Sequence, residues 1–532
     1  MTERAEGRGP EGEAQREAAS ADLRPARVVA AGLLLSKPTG YLRDALLAAR
    51  FGTGRAMDAY SIAYTAAVAA FDIVGAPLQR VVVPVLVRAR ERRGPGGLAA
   101  TSGAILWAVL LASLALGAVL LLGAGPVAAL LAGHGHAAAQ TAVLLRWLSP
   151  LPLAMALSAY ASAWLQAGRH FALPAFVGLP LDLAIIGLVL FAGHSLGILA
   201  AAWGLLLGTL LQLVLQWPGL RAFGHRVDPP APRTWGDPGL QDSVGMALPL
   251  LVSAASVQAV NVLQQALAAR LATGSAAALI YAYRVLDLPA ALFVLPVVTV
   301  IVPRLAAQFS AGSPRAAART LRETAWALGA GLLPCALLLG FLAAPLAAAL
   351  YEHGAFNAAS VAAMARGLVG FAPAVVCTGM QQLLRASFYA RQDARTPMLW
   401  DLAALGASAA FDLATYRLWH ELGLALGLSF GAAVAWAGLA LRLRRERGPA
   451  RPDEPEPGRR WPPLVAGAAA LVVTVLLCRE LPPFLGTIPW RRGLAEVAAG
   501  GTCGAVAYAV VTVLTGGGGL LRRLVGAVRP GS

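Results

Sequence analysis

Apolar stretches of bilayer-spanning length follow one another along nearly the whole chain, separated by short polar loops. A helix needs about 20 apolar residues to cross the hydrocarbon core. On that basis fourteen spans are predicted, at about 26–50, 58–86, 100–123, 140–166, 171–193, 195–217, 242–270, 276–304, 322–350, 358–389, 397–416, 421–443, 462–480 and 494–516. The loops between them fall into two kinds. Those after odd-numbered spans hold few basic residues, with Arg55 in the first and none in 124–139. Those after even-numbered spans are rich, with Arg88, Arg90, Arg92 and Arg93 in one and Arg315, Arg319 and Arg322 in another. Basic loops mark the cytoplasmic face, so both termini are expected there.

The pattern also divides the chain. Residues 1–24 are polar and lack the apolar core of a signal peptide, which predicts a disordered cytoplasmic tail. A first six-span lobe occupies 25–218, a linker 219–241, a second six-span lobe 242–445, and a Pro-, Glu- and Arg-rich linker 446–461. Two extra spans fill 462–518, and 519–532 form a second cytoplasmic tail.

The halves repeat at an offset of about 220 residues. Leu47-Ala48-Ala49-Arg50-Phe51-Gly52-Thr53-Gly54 matches Leu267-Ala268-Ala269-Arg270-Leu271-Ala272-Thr273-Gly274. Val83-Pro84-Val85-Leu86 matches Val302-Pro303-Arg304-Leu305, and His134-Gly135 matches His353-Gly354. An even number of spans per repeat returns the chain to the same side, so the lobes are parallel and related by an axis along the membrane normal. The expected fold is therefore an all-α polytopic membrane protein, with two parallel six-helix lobes around a central cavity plus two C-terminal helices.

Composition agrees with a membrane protein. Only 13% of the 532 residues are charged and 58% are hydrophobic, against about 25% charged in soluble domains. The net charge of +16 sits largely in loop arginines, which argues against a nucleic-acid partner. The four cysteines lie in or beside apolar runs without metal-ligand spacing and read as small apolar residues.

Charges inside the spans carry the candidate chemistry, because each costs roughly 2.5–3.5 kcal/mol at the bilayer centre on insertion scales. Span 1 holds the chain's sole lysine, Lys37, together with Arg43 and Asp44. Pro38 and Gly40 between them are expected to bend the helix. Span 8 holds Arg284 and Asp287, three residues apart and able to pair. Asp182, Asp401 and Asp412 lie in spans 5 and 11 as ion-binding or structural acids, with Arg146, Arg366 and Arg385 as available partners. Guanidinium groups in a low-dielectric cavity bind phosphate or diphosphate through charge-assisted, often bidentate bonds. The residues thus point to a transporter of an anionic amphiphile. No loop carries the carboxylate cluster that a metal-dependent membrane transferase would need, so neither catalytic nor metal-ligating residues are assigned, and no cofactor.

At these residues the chain resembles the lipid II flippase (MurJ, or MviN) family of the multidrug/oligosaccharidyl-lipid/polysaccharide exporter superfamily. The matching stretches are Ser36-Lys37-Pro38-Thr39-Gly40-Tyr41-Leu42-Arg43-Asp44, Phe51-Gly52-Thr53-Gly54, Asp58-Ala59-Tyr60, Ile280-Tyr281-Ala282-Tyr283-Arg284-Val285 and Phe388-Tyr389-Ala390-Arg391-Gln392-Asp393-Ala394-Arg395-Thr396-Pro397. The resemblance implies alternating-access flipping of the undecaprenyl-pyrophosphate-linked peptidoglycan precursor, lipid II, from the inner to the outer leaflet of the bacterial cytoplasmic membrane. It implies that Lys37, Arg43 and Arg284 occupy the family's cavity-arginine positions, with Asp44 and Asp58 at its acidic ones. It also implies that the last two helices contact the lipid tail, and it makes the cell-wall synthesis machinery a candidate partner besides membrane lipid.

The chain departs from the family pattern at several points. No arginine lies between Asp58 and Arg80, where the family carries a pair, and Tyr283 replaces an acid. Gln264 stands where some members use an acid of helix 7 to bind sodium, so sodium coupling is not carried over. The membrane potential, worth about 2.3 kcal/mol per charge per 100 mV, could drive the cycle instead. These features mark a divergent member. They leave open export of another polyprenyl-pyrophosphate-linked glycan, or a non-transporting scaffold role.

Overall fold

A computed structural model describes residues 32, 36–168, 170, 172–222, 235–447, 461–480 and 489–517. The two predicted tails, most of the 219–241 linker and nearly all of the 446–461 linker lie outside the described residues, as does most of span 1 before residue 36. Among the described residues the chain is all-helical. The helices are α1 (36–51), α2 (Arg55–Leu122), α3 (Ala124–Ala132), α4 (His136–Leu148), α5 (Leu151–Ala167), α6 (Ala172–Ala175), α7 (Gly178–Leu196) and α8 (Leu199–Ala222). They continue with α9 (Pro238–Ala268), α10 (Ser275–Pro289), α11 (Leu295–Ser310), α12 (Pro314–Phe341), α13 (Ala343–Tyr351), α14 (Ala358–Tyr389), α15 (Arg395–Arg447), α16 (Trp461–Glu480) and α17 (Pro489–Thr512). A single π-helical turn, Ala290–Val294, joins α10 to α11.

Eleven helical stretches among the described residues are long and apolar enough to cross a membrane. The predicted count of fourteen is not reached by these alone, partly because one stretch, Arg395–Glu446, runs for 52 residues. At about 1.5 Å per residue that far exceeds one bilayer. It is a helical hairpin folded at His420, whose φ is 50°. Gly423 lies against Thr415, Gly427 against Asp412, Gly431 against Ser408 and Gly438 against Trp400. The pairs step symmetrically away from the bend, as antiparallel arms require.

The repeat is visible in the helices. α3 and α13 are both nine residues long and stand at the offset of the sequence repeat. Each precedes a His-Gly turn whose glycine, Gly135 or Gly354, has positive φ.

The chain forms two compact units. One comprises Met1–Leu46, Ala70–Gly123 and Arg146–Leu248, and the other Leu47–Ala69, Ala124–Leu145 and Pro249–Ser532. In the first unit, α7 packs on α8 through Gly204 and Gly208. A Cβ there would lie 2.6 Å from the Cα of Ile185 and of Leu181 respectively, the close approach that small residues four apart allow. Asp237 caps α9 by accepting from the Gly239 and Leu240 amides at 2.8 and 3.2 Å. It also receives Arg93 Nη1 at 2.8 Å and Thr101 Oγ1 at 3.0 Å. Burial pushes its carboxyl up, but the Arg93 and Thr101 bonds and the Arg93 charge outweigh this and hold it below the usual carboxylate range.

In the second unit, Tyr281, Tyr351 and Phe356 form a buried aromatic trio with ring centroids 5.1–5.8 Å apart. The C-terminal helices α16 and α17 join a core of Ala330, Leu342, Leu464, Leu471, Val475 and Tyr508. The anchor follows from one proline. Pro334 in α12 has no N–H, so the Ala330 carbonyl one turn earlier loses its helical donor. Tyr508 Oη donates to that carbonyl at 2.9 Å. Tyr508→Phe therefore orphans a buried acceptor, and should destabilise the purified protein by about 1–3 kcal/mol. Thermal unfolding in detergent checks this, and an unchanged midpoint refutes the anchoring role.

Candidate functional site

The charged cluster of α1 lies in the first unit. Small residues bring α7 to α1: a Cβ on Gly178 would lie 3.3 Å from Ser36 Cβ, and one on Gly40 would lie 3.5 Å from Asp182 Oδ2. Leu181, held against Gly208 of α8, fixes the height at which Asp182 projects. Arg43 is then met from two sides. Its Nε and Nη2 reach Asp44 Oδ1 at 2.9 and 2.8 Å, and its Nη1 donates to Asp182 Oδ1 at 2.7 Å. Thr39 Oγ1 donates to Asp182 Oδ2 at 3.2 Å. Arg43, Asp44 and Asp182 are 9%, 7% and 4% exposed. One guanidinium between two carboxylates carries a net charge of −1. Lys37 on the same helix is exposed, and no described residue pairs with it.

Asp58 and Arg284 lie in the second unit, where α2 begins beside α10. Asp58 is an N-cap supplied by a distant part of the chain. Its two oxygens accept the Gly274 and Ala277 amides at 2.5 and 2.9 Å, satisfying free N–H groups at the start of α10. Glu421, which no sequence pattern marks, holds the same terminus by accepting Ser275 Oγ at 2.6 Å. Arg366 Nε donates to Glu421 at 2.8 Å. The turn 52–54 closes onto this region. Ala355 N donates to Ala49 O at 2.8 Å, Thr53 Oγ1 bonds Ser360 Oγ at 2.7 Å, and a Cβ on Gly274 would lie 2.5 Å from Thr53 O. At Gly274, with φ of 100°, only glycine combines that conformation with that approach. Further along α10, Arg284 Nη2 donates to Tyr64 Oη at 2.8 Å and its guanidinium lies 5.4 Å from the Tyr64 ring centroid.

The two remaining acids differ. Asp401 receives Arg385, Ser253 and Gln381, which ties α15 to α14 and α9. It reads as a structural joint. Asp412 is 0% exposed and accepts from Gln264 Nε2 at 3.3 Å. The same amide donates to the Leu424 carbonyl at 2.7 Å. Gly427 packs on the other carboxylate oxygen, which has no hydrogen-bond partner among the described residues. No group of three or more His, Cys, Asp or Glu able to hold a metal ion occurs among the described residues.

Comparisons with known proteins agree with this architecture. The chain is 28% identical over 426 residues to the lipid II flippase MurJ of Burkholderia cenocepacia, covering 77% of this chain and 82% of that one. It is 26% identical over 525 residues to a probable lipid II flippase MurJ of Rhizobium tropici, covering 94% and 96%. Its fold matches a structure titled lipid II flippase MurJ, inward closed conformation, with a TM-score of 0.76 at 18% identity over 91% of this chain and 98% of that one. It also matches an inward-facing multidrug resistance MATE transporter of the MOP superfamily, with a TM-score of 0.64 at 15% identity over 78% and 96%. The profile of the family described as lipid II flippase MurJ matches residues 47–479, most of the chain, and the chain belongs to that family.

Proposed function

We propose that this protein flips lipid II, the lipid-linked peptidoglycan precursor, across the bacterial inner membrane by alternating access, acting as a transporter and not as an enzyme. The family match over residues 47–479 carries this reading. In-span cations at Lys37, Arg43 and Arg284 suit the diphosphate of such a lipid. The polyprenyl tail stays in the bilayer while the sugar-peptide head crosses. The loop arginines support cytoplasmic termini. Moving net charge through the membrane potential supplies the driving force, and cell-wall synthesis enzymes on the outer face take up the product.

Complementation tests the reading. The unmutated chain should restore growth to a strain depleted of its lipid II flippase, whereas Arg43→Ala and Arg284→Ala should each fail at comparable membrane levels. Growth supported equally by both variants would falsify the assigned cation roles. Failure of the unmutated chain would favour the scaffold reading.

The contacts among the 52–54 turn, the α10 N-terminus and the 352–357 turn support a second assignment, a seal that closes on the outer side and opens during the cycle. Thr53→Cys with Ser360→Cys, in a background lacking the native cysteines, should form a disulfide under mild oxidation. Flipping in proteoliposomes should then fall to background and return on reduction. Full turnover in the cross-linked protein would show that this seal does not open.

A further inference from the structure

We infer that Asp182 is a positioning residue that holds Arg43 while the site is empty and gives it up to the substrate's diphosphate. The inference rests on the flippase reading above. Asp44 and Arg43 are neighbours on α1, so that pair travels with its own helix. Asp182 comes from α7 and is the exchangeable partner. Two hydrogen bonds tie it to α1, from Arg43 Nη1 at 2.7 Å and from Thr39 Oγ1 at 3.2 Å. Both donors have somewhere else to go. The single hydroxyl proton of Thr39 is shared with the Ser36 carbonyl, the nearer acceptor at 2.9 Å. A diphosphate offers Arg43 several anionic oxygens in the geometry a guanidinium fork prefers.

Charge makes the exchange necessary. With both carboxylates in place the triad is negative, and in a low-dielectric span it repels a dianion. Withdrawal of Asp182 leaves Arg43 and Asp44 neutral as a pair. Lys37, exposed on the same helix, adds a positive charge to α1. Asp182 also gives the cycle a release step, since its return to Arg43 competes the diphosphate away. A static brace would do neither.

The test uses the full-length protein in nanodiscs, with geranyl diphosphate as a soluble diphosphate probe, and lipid II turnover in proteoliposomes. Asp182→Asn removes the competing charge and should tighten probe binding about tenfold, on the scale of one lost charge-assisted bond, while turnover falls several-fold because release slows. Asp182→Ser should show the same gain, which guards against a folding defect peculiar to one variant. The gain should vanish when either substitution is combined with Arg43→Ala. Unchanged or weaker probe binding in Asp182→Asn and Asp182→Ser, with lipid II still flipped by the unmutated protein, overturns the inference alone. A gain that persists without Arg43 also overturns it. An unmutated protein that neither flips lipid II nor binds the probe overturns the flippase reading and the inference together.

Discussion

A charge carried into a membrane helix must find a partner there, because water is absent and the isolated ion costs several kcal/mol. That requirement selects which helices meet in this protein. Arg43 draws Asp182 of α7 to α1, Arg385 draws Asp401 of α15 to α14, and Arg366 draws Glu421 of α15 to α14 again. Removing one partner of a buried pair typically costs about 3–5 kcal/mol, so the Arg43–Asp182 and Arg385–Asp401 pairs penalise separation of their helices, while the half-exposed Arg366 does so less for Glu421. Leu or Ala faces as well to lipid as to another helix. The ion pairs break that degeneracy and set which face of each helix turns inward.

The pairs form only because small residues clear the way. Gly178 and Gly40 let α7 lie against α1, and Gly208 lets α8 press on Leu181 beside the carboxylate. In the α15 hairpin, Gly427 makes room for Asp412 and Gly431 for Ser408. With little hydrophobic force between helices inside a bilayer, association relies on close packing and hydrogen bonds. A chain so rich in glycine and alanine is therefore consistent with its polar chemistry, since larger side chains at these points would separate the charges they flank.

This division also explains what the sequence reveals. Spans, loops and the repeat are local or periodic signals, and the predicted break between residues 416 and 421 brackets the bend at His420. In-span charges stand out one by one, so Arg43, Asp182, Arg385 and Asp401 are all recognisable. Which acid meets which base depends on helix neighbours, and no local pattern encodes that. Asp58 shows the limit. It is recognisable as acidic, but its role as a cap for α10 depends on a contact 216 residues away. Glu421 lies beside the bend and looks like an ordinary interfacial acid. Asp237 is the opposite case: Asp237-Pro238-Gly239 carries a local N-cap signature, although it lies in a linker outside every span.

The polar contacts are not equally exchangeable, and the difference matters to a two-state transporter. Asp401 is surrounded by Arg385, Ser253 and Gln381, so leaving them strands a buried charge. The α10 terminus is held mainly by backbone amides and hydroxyls on carboxylates. Water can replace such bonds at small cost once the region opens. States that interconvert during transport must lie within a few kcal/mol of each other. Contacts that water or the substrate's own anionic oxygens can replace meet that condition, and an internal ion pair with no such substitute does not. The contacts at the α10 terminus and the 52–54 turn are of the first kind, and the Arg385–Asp401 joint is of the second.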